Sequence, residues 1–351
     1  MNFKINGREI GIGNPTYIIA EMSANHAGSK EYAKEIIWAA KEAGADCIKI
    51  QTYTADTITL DCDNEFFRIP GGPWVDCNTQ YKLFSKAYTP WEWQPELMEE
   101  AKKAGIDFFS TPFDFTAVDF LEDMGVGFYK IASPELVDIP LIKYVASKGK
   151  PVIMSTGMAT LGEIELAVNA AKSIGNNQIA LLRCASAYPA ITDQMNLSTL
   201  KNMQELFDIP VGLSDHSQGS LGAIVAVTLG ANIIEKHFCI TREVETADSF
   251  FSMNKEEFAQ MVTDIRQAER AIGHIAYGPT DQEKVSMTAR KSLFCAKDIK
   301  KGEKFTPENV RIVRPGYGLE PKYYEDIIGT EALADISFGN PIQYGMFKIN
   351  K

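Results

Sequence analysis

Eight short apolar runs alternate with helical patterns from Tyr17 to Ile272, and this alternation restricts the fold more than any other feature of the chain. Most runs are continuously apolar, as parallel strands buried on both faces usually are. Eight strand–helix units predict an α/β fold of the (β/α)8 TIM-barrel type, which typically takes about 250 residues. The predicted strands are Tyr17–Glu21, Cys47–Gln51, Asp107–Ser110, Phe128–Ile131, Pro151–Ser155, Ile179–Cys184, Val211–Leu213 and Ile233–Lys236.

A doubly wound open sheet is the alternative fold for such an alternation. Its first strand is usually followed by a glycine-rich fingerprint. Here the segment 20–26 reads AEMSANH and contains no glycine. The barrel is therefore the predicted fold.

Helix starts are marked by segments that resemble capping boxes, in which a Ser, Thr or Asn side chain is followed three residues later by Glu. These segments begin at Thr89, Thr160 and Asn254. The first of them predicts a helix that runs to about Lys103.

The connection between Thr52 and Thr89 is unusually long for a barrel. Long connections inside compact domains are often active-site lids. A surface excursion is an equal alternative on the sequence alone.

The pattern changes after Gly273, where the chain becomes polar and unpatterned. We predict a barrel domain over 1–275, a linker over 276–291 and a small second domain over 292–351. A domain of this size is near the lower limit for independent folding. We therefore expect it to pack on another surface, either its own barrel or that of a partner.

The net charge of −11 argues against nucleic acid and anionic membrane as partners, because both require a surplus of basic surface. The first residues lack a secretory pattern, and no apolar stretch approaches the roughly 20 residues of a membrane span. The six cysteines form no C-x-x-C pair, which is typical of reduced thiols. We expect a cytoplasmic protein.

Polar residues follow every predicted strand, and barrel enzymes carry their catalytic groups at this end of the strands. Each such residue has a structural alternative, such as a helix cap or a solvated lysine. Convergence on one mouth favours a functional interpretation. In strand order the residues are Glu21; Lys49 and Gln51; Ser110 and Thr111; Lys130, Ser133 and Glu135; Ser155; Ser186 and Tyr188; Ser214, Asp215 and His216; and Glu235, Lys236 and His237.

Two of the chain's four histidines, His216 and His237, follow neighbouring strands at equivalent positions. Adjacent strands lie about 4.8 Å apart, so both imidazoles can reach one ion. Two protein ligands leave coordination sites open for substrate. Two hydrogen-bonded histidines without a metal are an equal alternative from the spacing.

Lys49 and Lys130, with neighbouring hydroxyl groups, predict a pocket for a phosphate and a carboxylate. The alternative is a Schiff-base aldolase, in which one lysine is the nucleophile. Glu21 and Glu135 are candidate acid–base groups, because burial in a barrel mouth raises a carboxyl pKa. The candidate hydroxyls are Thr111, Ser133, Ser155, Ser186 and Ser214.

The strand-end motifs together resemble the sialic acid synthase family, in order and over nearly the whole chain. The tail motifs, KDIKKGE at 297–303 and RPG at 314–316, resemble the antifreeze-like (SAF) domain of that family. The barrel motifs are AE at 20–21, NHAG at 25–28, KIQ at 49–51, STPF at 110–113, YKI at 129–131, STGM at 155–158, YP at 188–189, GLSDH at 212–216 and EKHF at 235–238.

Within the family the chain is most similar to the pseudaminic acid synthase branch, through EMSANH at 21–26, GGPW at 71–74 and RPGYGL at 314–319. The resemblance implies a metal-dependent condensation of phosphoenolpyruvate with 2,4-diacetamido-2,4,6-trideoxy-altrose, giving pseudaminate and phosphate. The alternatives are a legionaminic or N-acetylneuraminic acid synthase acting on a manno-configured sugar, the lysine aldolase, and a non-catalytic carbohydrate-binding protein.

The resemblance also implies individual roles. His216 and His237 would ligate a divalent Mn, Mg or Co ion, and Tyr188 and Asp248 would face the sugar. Arg314 would reach the sugar in the barrel of a partner subunit, because family members form domain-swapped homodimers. The chain departs from sialic acid synthases at Ser186, where they have asparagine, and at 246–247, where Thr-Ala replaces Gly-Pro. The residues implied to hold phosphoenolpyruvate are Lys49, Thr111, Lys130, Ser133, Ser155 and Ser214, and we add Gln51 and Ser186 as substrate-binding candidates.

Overall fold

A computed structural model of the chain describes residues 2–348. A short antiparallel hairpin precedes eight parallel strands that follow one another around a closed barrel, as predicted. The observed strand bounds differ from the predicted ones by at most two residues. The hairpin is β1 (Phe3–Ile5) and β2 (Arg8–Ile10), and the barrel is β3 (Tyr17–Glu21), β4 (Cys47–Thr52), β5 (Asp107–Pro112), β6 (Tyr129–Ile131), β7 (Val152–Ser155), β8 (Ile179–Cys184), β9 (Val211–Asp215) and β10 (Ile233–His237).

Helices connect the strands, and two of the three predicted capping boxes are present, at Thr160 and Asn254. The prediction at Thr89 is wrong. A 3-10 turn over Trp91–Trp93 precedes that helix, and the Thr89 hydroxyl is buried without a hydrogen bond. The helices are α1 (Lys30–Glu42), α2 (Ala55–Ile58), α3 (Gln80–Ala87), α4 (Gln94–Ala104), α5 (Phe115–Met124), α6 (Ile139–Ser147), α7 (Leu161–Ser173), α8 (Thr199–Phe207), α9 (Leu221–Thr228), α10 (Lys255–Ile272), α11 (Asp281–Lys284) and α12 (Tyr324–Ile327).

Alternate residues of each barrel strand face opposite sides, as the period of a strand requires. One set, which includes Ile18, Ile48 and Leu181, belongs to the apolar layer between strands and helices. The other set, which includes Ile19 and Leu182, fills the interior of the barrel. The same alternation directs the polar residues at the carboxyl ends of the strands into the mouth.

The hairpin β1–β2, which the sequence analysis did not predict, closes the opposite end of the barrel. Phe3, Ile5 and Ile10 are buried in one cluster with the first residues of several barrel strands. Phe109 and Phe128 stack in this cluster with ring centroids 4.0 Å apart. The interior is therefore packed below the mouth, and solvent and ligands have access from one end.

The chain divides into two compact units, Met1–Gly273 and His274–Lys351. The second unit has its own core, which includes Leu293, Phe305 and Ile342, and a two-stranded sheet of β11 (Ser292–Cys295) and β12 (Val310–Val313). The predicted linker contains α11 and a 3-10 turn, Val285–Ala289. The predicted second domain extends to 351, and its last three positions lie outside the described residues.

No helix within residues 2–348 combines the length and the apolar character of a membrane span.

Candidate active site

Two lysines and two glutamates meet in the barrel mouth without access to bulk water. Lys49 forms ion pairs with Glu21 and, at 3.2 Å from Nζ to Oε1, with Glu235. Lys130 Nζ lies 3.5 Å from the same Glu235 oxygen. All four side chains are at most 6% exposed. Buried charges require partners of opposite sign, so this cluster holds its cations in place by mutual pairing.

Hydroxyl groups add hydrogen bonds to this cluster. Lys130 Nζ donates to Ser155 Oγ at 2.7 Å, and Lys49 Nζ donates to Thr111 Oγ1 at 3.4 Å. Ser214 Oγ donates to Glu235 Oε1 at 3.2 Å. The structure thus brings together five of the predicted anion-binding residues around one carboxylate.

The two carboxyl groups of the cluster have opposite pKa shifts. Complete burial raises the pKa of Glu21, against the attraction of Lys49 and with the support of the negative Glu235. Burial also disfavours the charged form of Glu235, but Lys130 and Lys49 outweigh it and lower the pKa of that group. Glu235 is therefore the permanent anion between the lysines, and Glu21 is the group better suited to carry a proton.

Glu235 stood among the strand-end residues of the sequence, but no role was predicted for it. Its Oε1 accepts a hydrogen bond from Ser214 and forms ion pairs with Lys49 and Lys130, whereas its Oε2 is buried without a hydrogen-bond partner. The inward-facing position two residues before His237 was the available signal, because side chains two residues apart on a strand share a face.

The two predicted histidines are neighbours in the mouth. The ring centroids of His216 and His237 lie 5.3 Å apart. His216 Nδ1 is 3.2 Å from the Ala185 carbonyl oxygen, a contact that orients the ring and leaves its other nitrogen available. Burial and the neighbouring His216 lower the pKa of His237 well below its ordinary value, so this imidazole is neutral, as metal ligation requires.

The donor set fits a divalent ion that completes its coordination with substrate or water oxygens. His237 Nδ1 is buried without a hydrogen bond and lies 3.8 Å from Asp248 Oδ2. Within residues 2–348 no group of three or more His, Cys, Asp and Glu side chains is arranged to hold a metal by itself. A pair of imidazoles with open positions is the donor set of a Lewis-acid site, in contrast to a closed structural site.

A second group of hydroxyls lies beside the first. Ser133 Oγ accepts from the Gly157 backbone N–H at 3.0 Å, and Ser186 Oγ lies 3.5 Å from Cys184 Sγ. A Cβ atom at Gly157 would come within 2.0 Å of Ser186 Oγ and 2.7 Å of Ser133 Oγ. Glycine at this position therefore allows the two serines to converge. Gln51, half-buried, follows Lys49 on the inward-facing side of β4.

The loop after β10 carries Asp248, which is 8% exposed. The loop is held by Thr246, whose Oγ1 accepts from the Asp248 and Ser249 backbone N–H groups and donates to Asn25 Oδ1 at 2.7 Å. Asn25 in turn donates to the Phe238 carbonyl oxygen and to the side chain of Ser252. Side-chain hydrogen bonds thus fix the loop that carries Asp248.

The long connection between β4 and α4 reaches across the mouth. Trp74 Nε1 donates to the Ala247 carbonyl oxygen at 2.7 Å, which ties the connection to the loop after β10. The Trp74 ring also contacts Tyr188, with centroids 5.4 Å apart. These contacts favour an active-site lid over a surface excursion.

Three strand-end residues lie away from the mouth. Lys236 Nζ pairs with Asp215 Oδ2 at 2.7 Å and donates to the Ser217 and Gly219 carbonyl oxygens, so this pair fixes the loop after β9. Ser110 donates to the Ile50 carbonyl oxygen. The expectation that every strand-end group converges on one mouth is wrong for these residues, because their positions face the helices.

Arg314, which was predicted to contact the sugar in a partner subunit, is exposed and belongs to the second unit.

Glu135 lies in a short 3-10 turn after β6, and its Oε2 is buried without a hydrogen bond. Burial raises the pKa of this carboxyl to about 7. Between its unfolded pKa of about 4.3 and pH 7, the folded protein binds the extra proton, so the stability that this group contributes falls as pH rises. We therefore expect the melting temperature of Glu135→Gln, relative to that of wild type, to increase as the pH rises from 5 to 8.

Melting temperatures of both proteins across that range test this expectation. Glu163→Gln, at an exposed helix start, is the control for general effects of pH on the fold. Weakening of its capping hydrogen bonds lowers the stability of this variant, but by a similar amount from pH 5 to pH 8, because these bonds lower the pKa of Glu163. A constant difference between Glu135→Gln and wild type from pH 5 to pH 8 would show that Glu135 is ionised throughout.

Fold and site together define a (β/α)8-barrel enzyme whose mouth combines buried lysines, converging hydroxyls and a histidine pair. The chain belongs to the NeuB family, the family of the sialic acid synthases, whose model matches residues 36–277. The SAF domain model matches residues 290–348. Both matches confirm the resemblance seen in the sequence.

Individual relatives cover almost the whole chain. A pseudaminic acid synthase of Campylobacter jejuni is 45% identical over 95% of this chain and 96% of its own length, and one of Helicobacter pylori is 43% identical over 93% and 96%. An N,N'-diacetyllegionaminic acid synthase of Legionella pneumophila is 36% identical over 97% of both chains. The solved N-acetylneuraminic acid synthetase of Leptospira borgpetersenii superposes with a TM-score of 0.73 at 32% identity, covering 82% of this chain and 95% of that one.

Proposed function

We propose that this protein is a pseudaminic acid synthase, which condenses phosphoenolpyruvate with 2,4-diacetamido-2,4,6-trideoxy-altrose to give pseudaminate and phosphate. The 45% identity to a pseudaminic acid synthase over 95% of the chain carries this proposal. The relative named for legionaminic acid is 36% identical over a similar length, so the altro-configured sugar is the better-supported substrate.

The lysine cluster supports the binding of phosphoenolpyruvate. The substrate has a phosphate and a carboxylate, and the chain as a whole is acidic, so its binding depends on local cations. Lys49 and Lys130 supply two ammonium groups, and the Ser155 and Thr111 hydroxyls beside them supply further hydrogen bonds. Ser133, Ser186, Ser214 and Gln51 extend this polar lining.

The reaction joins two carbons and releases phosphate. C3 of phosphoenolpyruvate bonds to the aldehyde carbon, and the aldehyde oxygen takes up a proton. Water then adds at C2 with loss of a proton, and cleavage of the C2–O bond releases phosphate. Glu21 and Glu135, whose pKa values burial raises, are the candidate proton carriers.

Sialic acid synthases are generally metal-dependent. In this chain His216 and His237 would hold the ion, which would supply Lewis-acid polarisation of the aldehyde oxygen. Asp248, 3.8 Å from His237, and Tyr188, beside His216, would orient the sugar. We propose Mn, Mg or Co as the ion.

A lysine aldolase on the same barrel is the second candidate, because burial and Lys49 lower the pKa of Lys130. A lowered pKa favours a nucleophilic amine. Against it stands the pairing of Lys130 with the ionised Glu235, which favours the ammonium form.

The proposed function is tested by phosphate release from phosphoenolpyruvate with three sugars: the altro- and manno-configured diacetamido sugars and N-acetylmannosamine. We expect the altro sugar to react at least about tenfold faster, because the loss of even one substrate contact lowers kcat/KM by about this factor or more. Chelation should abolish the activity and Mn or Mg should restore it. Borohydride with substrate should trap no lysine adduct. Faster reaction of another sugar, full activity without metal, or a labelled lysine would each contradict the proposal.

We also propose a cytoplasmic, domain-swapped homodimer, in which Arg314 of the SAF unit reaches the sugar bound in the partner's barrel. The support is the family resemblance and the exposure of Arg314. We propose no nucleic-acid or membrane partner.

A further inference from the structure

Four aromatic residues line one side of the mouth, and we call them the aromatic wall: Trp74 from the long connection, Tyr188 after β8, and Phe250 and Phe251 after β10. Their rings touch in sequence. The ring centroid of Trp74 lies 5.4 Å from that of Tyr188 and 6.3 Å from that of Phe250, and the centroids of Phe250 and Phe251 lie 4.9 Å apart. Residues from three separate loops therefore form one apolar surface.

The aromatic wall adjoins the histidine pair. Tyr188 lies 4.3 Å from His216, and Phe251 lies 4.7 Å from His237. Trp74 contacts Tyr188, so it is one ring farther from the histidines. A sugar whose aldehyde carbon is held at the histidines has its C6 at the opposite end of its carbon chain. Trp74 and Phe250, the outer part of the wall, adjoin the inner rings Tyr188 and Phe251, so they are the rings of the wall that the C6 end of such a sugar would meet.

The outer part of the wall has no free hydrogen-bonding group. The indole N–H of Trp74 is used by the Ala247 carbonyl oxygen at 2.7 Å, and Phe250 has no polar atom. Both side chains are partly exposed, Phe250 by 41%, so they present ring surface to a ligand. A hydroxyl group packed against these rings would lose water without gaining a hydrogen bond from them, whereas a methyl group would gain burial.

We propose that Trp74, with Phe250, contacts the C6 methyl group of the sugar and sets a preference for 6-deoxy over 6-hydroxy substrates. This inference rests on the proposed function and names the residues that would contact the sugar at C6. A difference of one apolar group in such a pocket changes kcat/KM by about 10- to 200-fold. The long connection between β4 and α4 is thus a specificity element, since it supplies Trp74.

The test uses two diacetamido sugars of the same configuration that differ only at C6, one with a methyl group and one with a hydroxymethyl group. For wild type we expect kcat/KM to favour the 6-deoxy sugar by about tenfold or more. Trp74→Ala should bring the ratio below about threefold, mainly by raising KM for the 6-deoxy sugar, with KM for phosphoenolpyruvate unchanged. Trp74→Phe should keep most of the preference. Phe66→Ala is the matched control, because Phe66 lies in the same connection and is 78% exposed.

The outcomes separate this inference from the proposed function. No phosphate release by wild type with either sugar would contradict the proposed function and remove the basis of the inference. Turnover of the 6-deoxy sugar with an unchanged ratio in Trp74→Ala would overturn the inference alone. If Trp74→Ala is unfolded by circular dichroism, Phe250→Ala provides the reading, and a wild-type ratio in that variant would overturn the inference.

Discussion

Lys130→Met should lower kcat/KM for phosphoenolpyruvate by about 10³-fold. Lys130 is 2% exposed and is bonded to Ser155 and paired with Glu235. Removal of one partner of a buried, hydrogen-bonded charge pair costs about 2–5 kcal/mol, which corresponds to about 30- to 5,000-fold. The methionine side chain is similar in length and apolar, so the barrel retains its packing. Steady-state kinetics with varied phosphoenolpyruvate measure the effect.

Lys150→Met is the matched control for this prediction. Lys150 lies just before β7 and pairs with Glu122 at 2.7 Å outside the barrel interior. Pairs of this partly exposed kind contribute little, so we expect activity within about twofold of wild type. A folded Lys130→Met protein with less than tenfold loss would show that the phosphoenolpyruvate pocket lies elsewhere.

His237→Ala should lower kcat by at least about 10³-fold and remove tightly bound divalent metal. The proposed ion has two protein ligands, so the loss of one leaves a single imidazole, and polarisation by a metal contributes several kcal/mol to such reactions. Because the pKa of His237 is well below its ordinary value, the ring is neutral across the working pH range and needs no deprotonation to bind. Elemental analysis after gel filtration measures the metal, and phosphate release measures the activity.

His274→Ala is the control of the same residue type, because His274 is exposed and lies outside the barrel unit. It should retain both metal and activity. A His237→Ala protein that keeps its metal, or that turns over at the wild-type rate, would exclude His237 as a ligand.

The barrel could be predicted from the sequence because parallel strands buried on both faces produce continuous apolar runs. All eight strands were found, and the bounds that differ most are those of β5 and β9, where the polar residues Thr111 and Asp215 belong to the strand. The hairpin β1–β2 was not predicted, because three-residue strands carry too few residues for a periodic pattern.

The inward-facing residues of the mouth were identified by type, but their partners were not. Glu21, Lys49 and Lys130 were each assigned to the site, whereas the central position of Glu235 between both lysines depends on strand neighbours that are distant in sequence. Asp215 and Lys236 were grouped with the strand-end residues expected in the mouth, because the direction in which each side chain faces was unknown. A shift by one residue exchanges the two faces of a strand, so only the structure separates such neighbours.

The hairpin at the base of the barrel also determines how the protein can be attached to a support. Phe3 and Ile5 are buried beneath the amino ends of the strands, whereas the candidate site residues lie at the carboxyl ends. A linker fused ahead of residue 3 therefore leaves the molecule on the side away from the substrate entrance. Immobilisation through that end would orient the entrance toward the flowing solution, provided that the fusion leaves the hairpin intact.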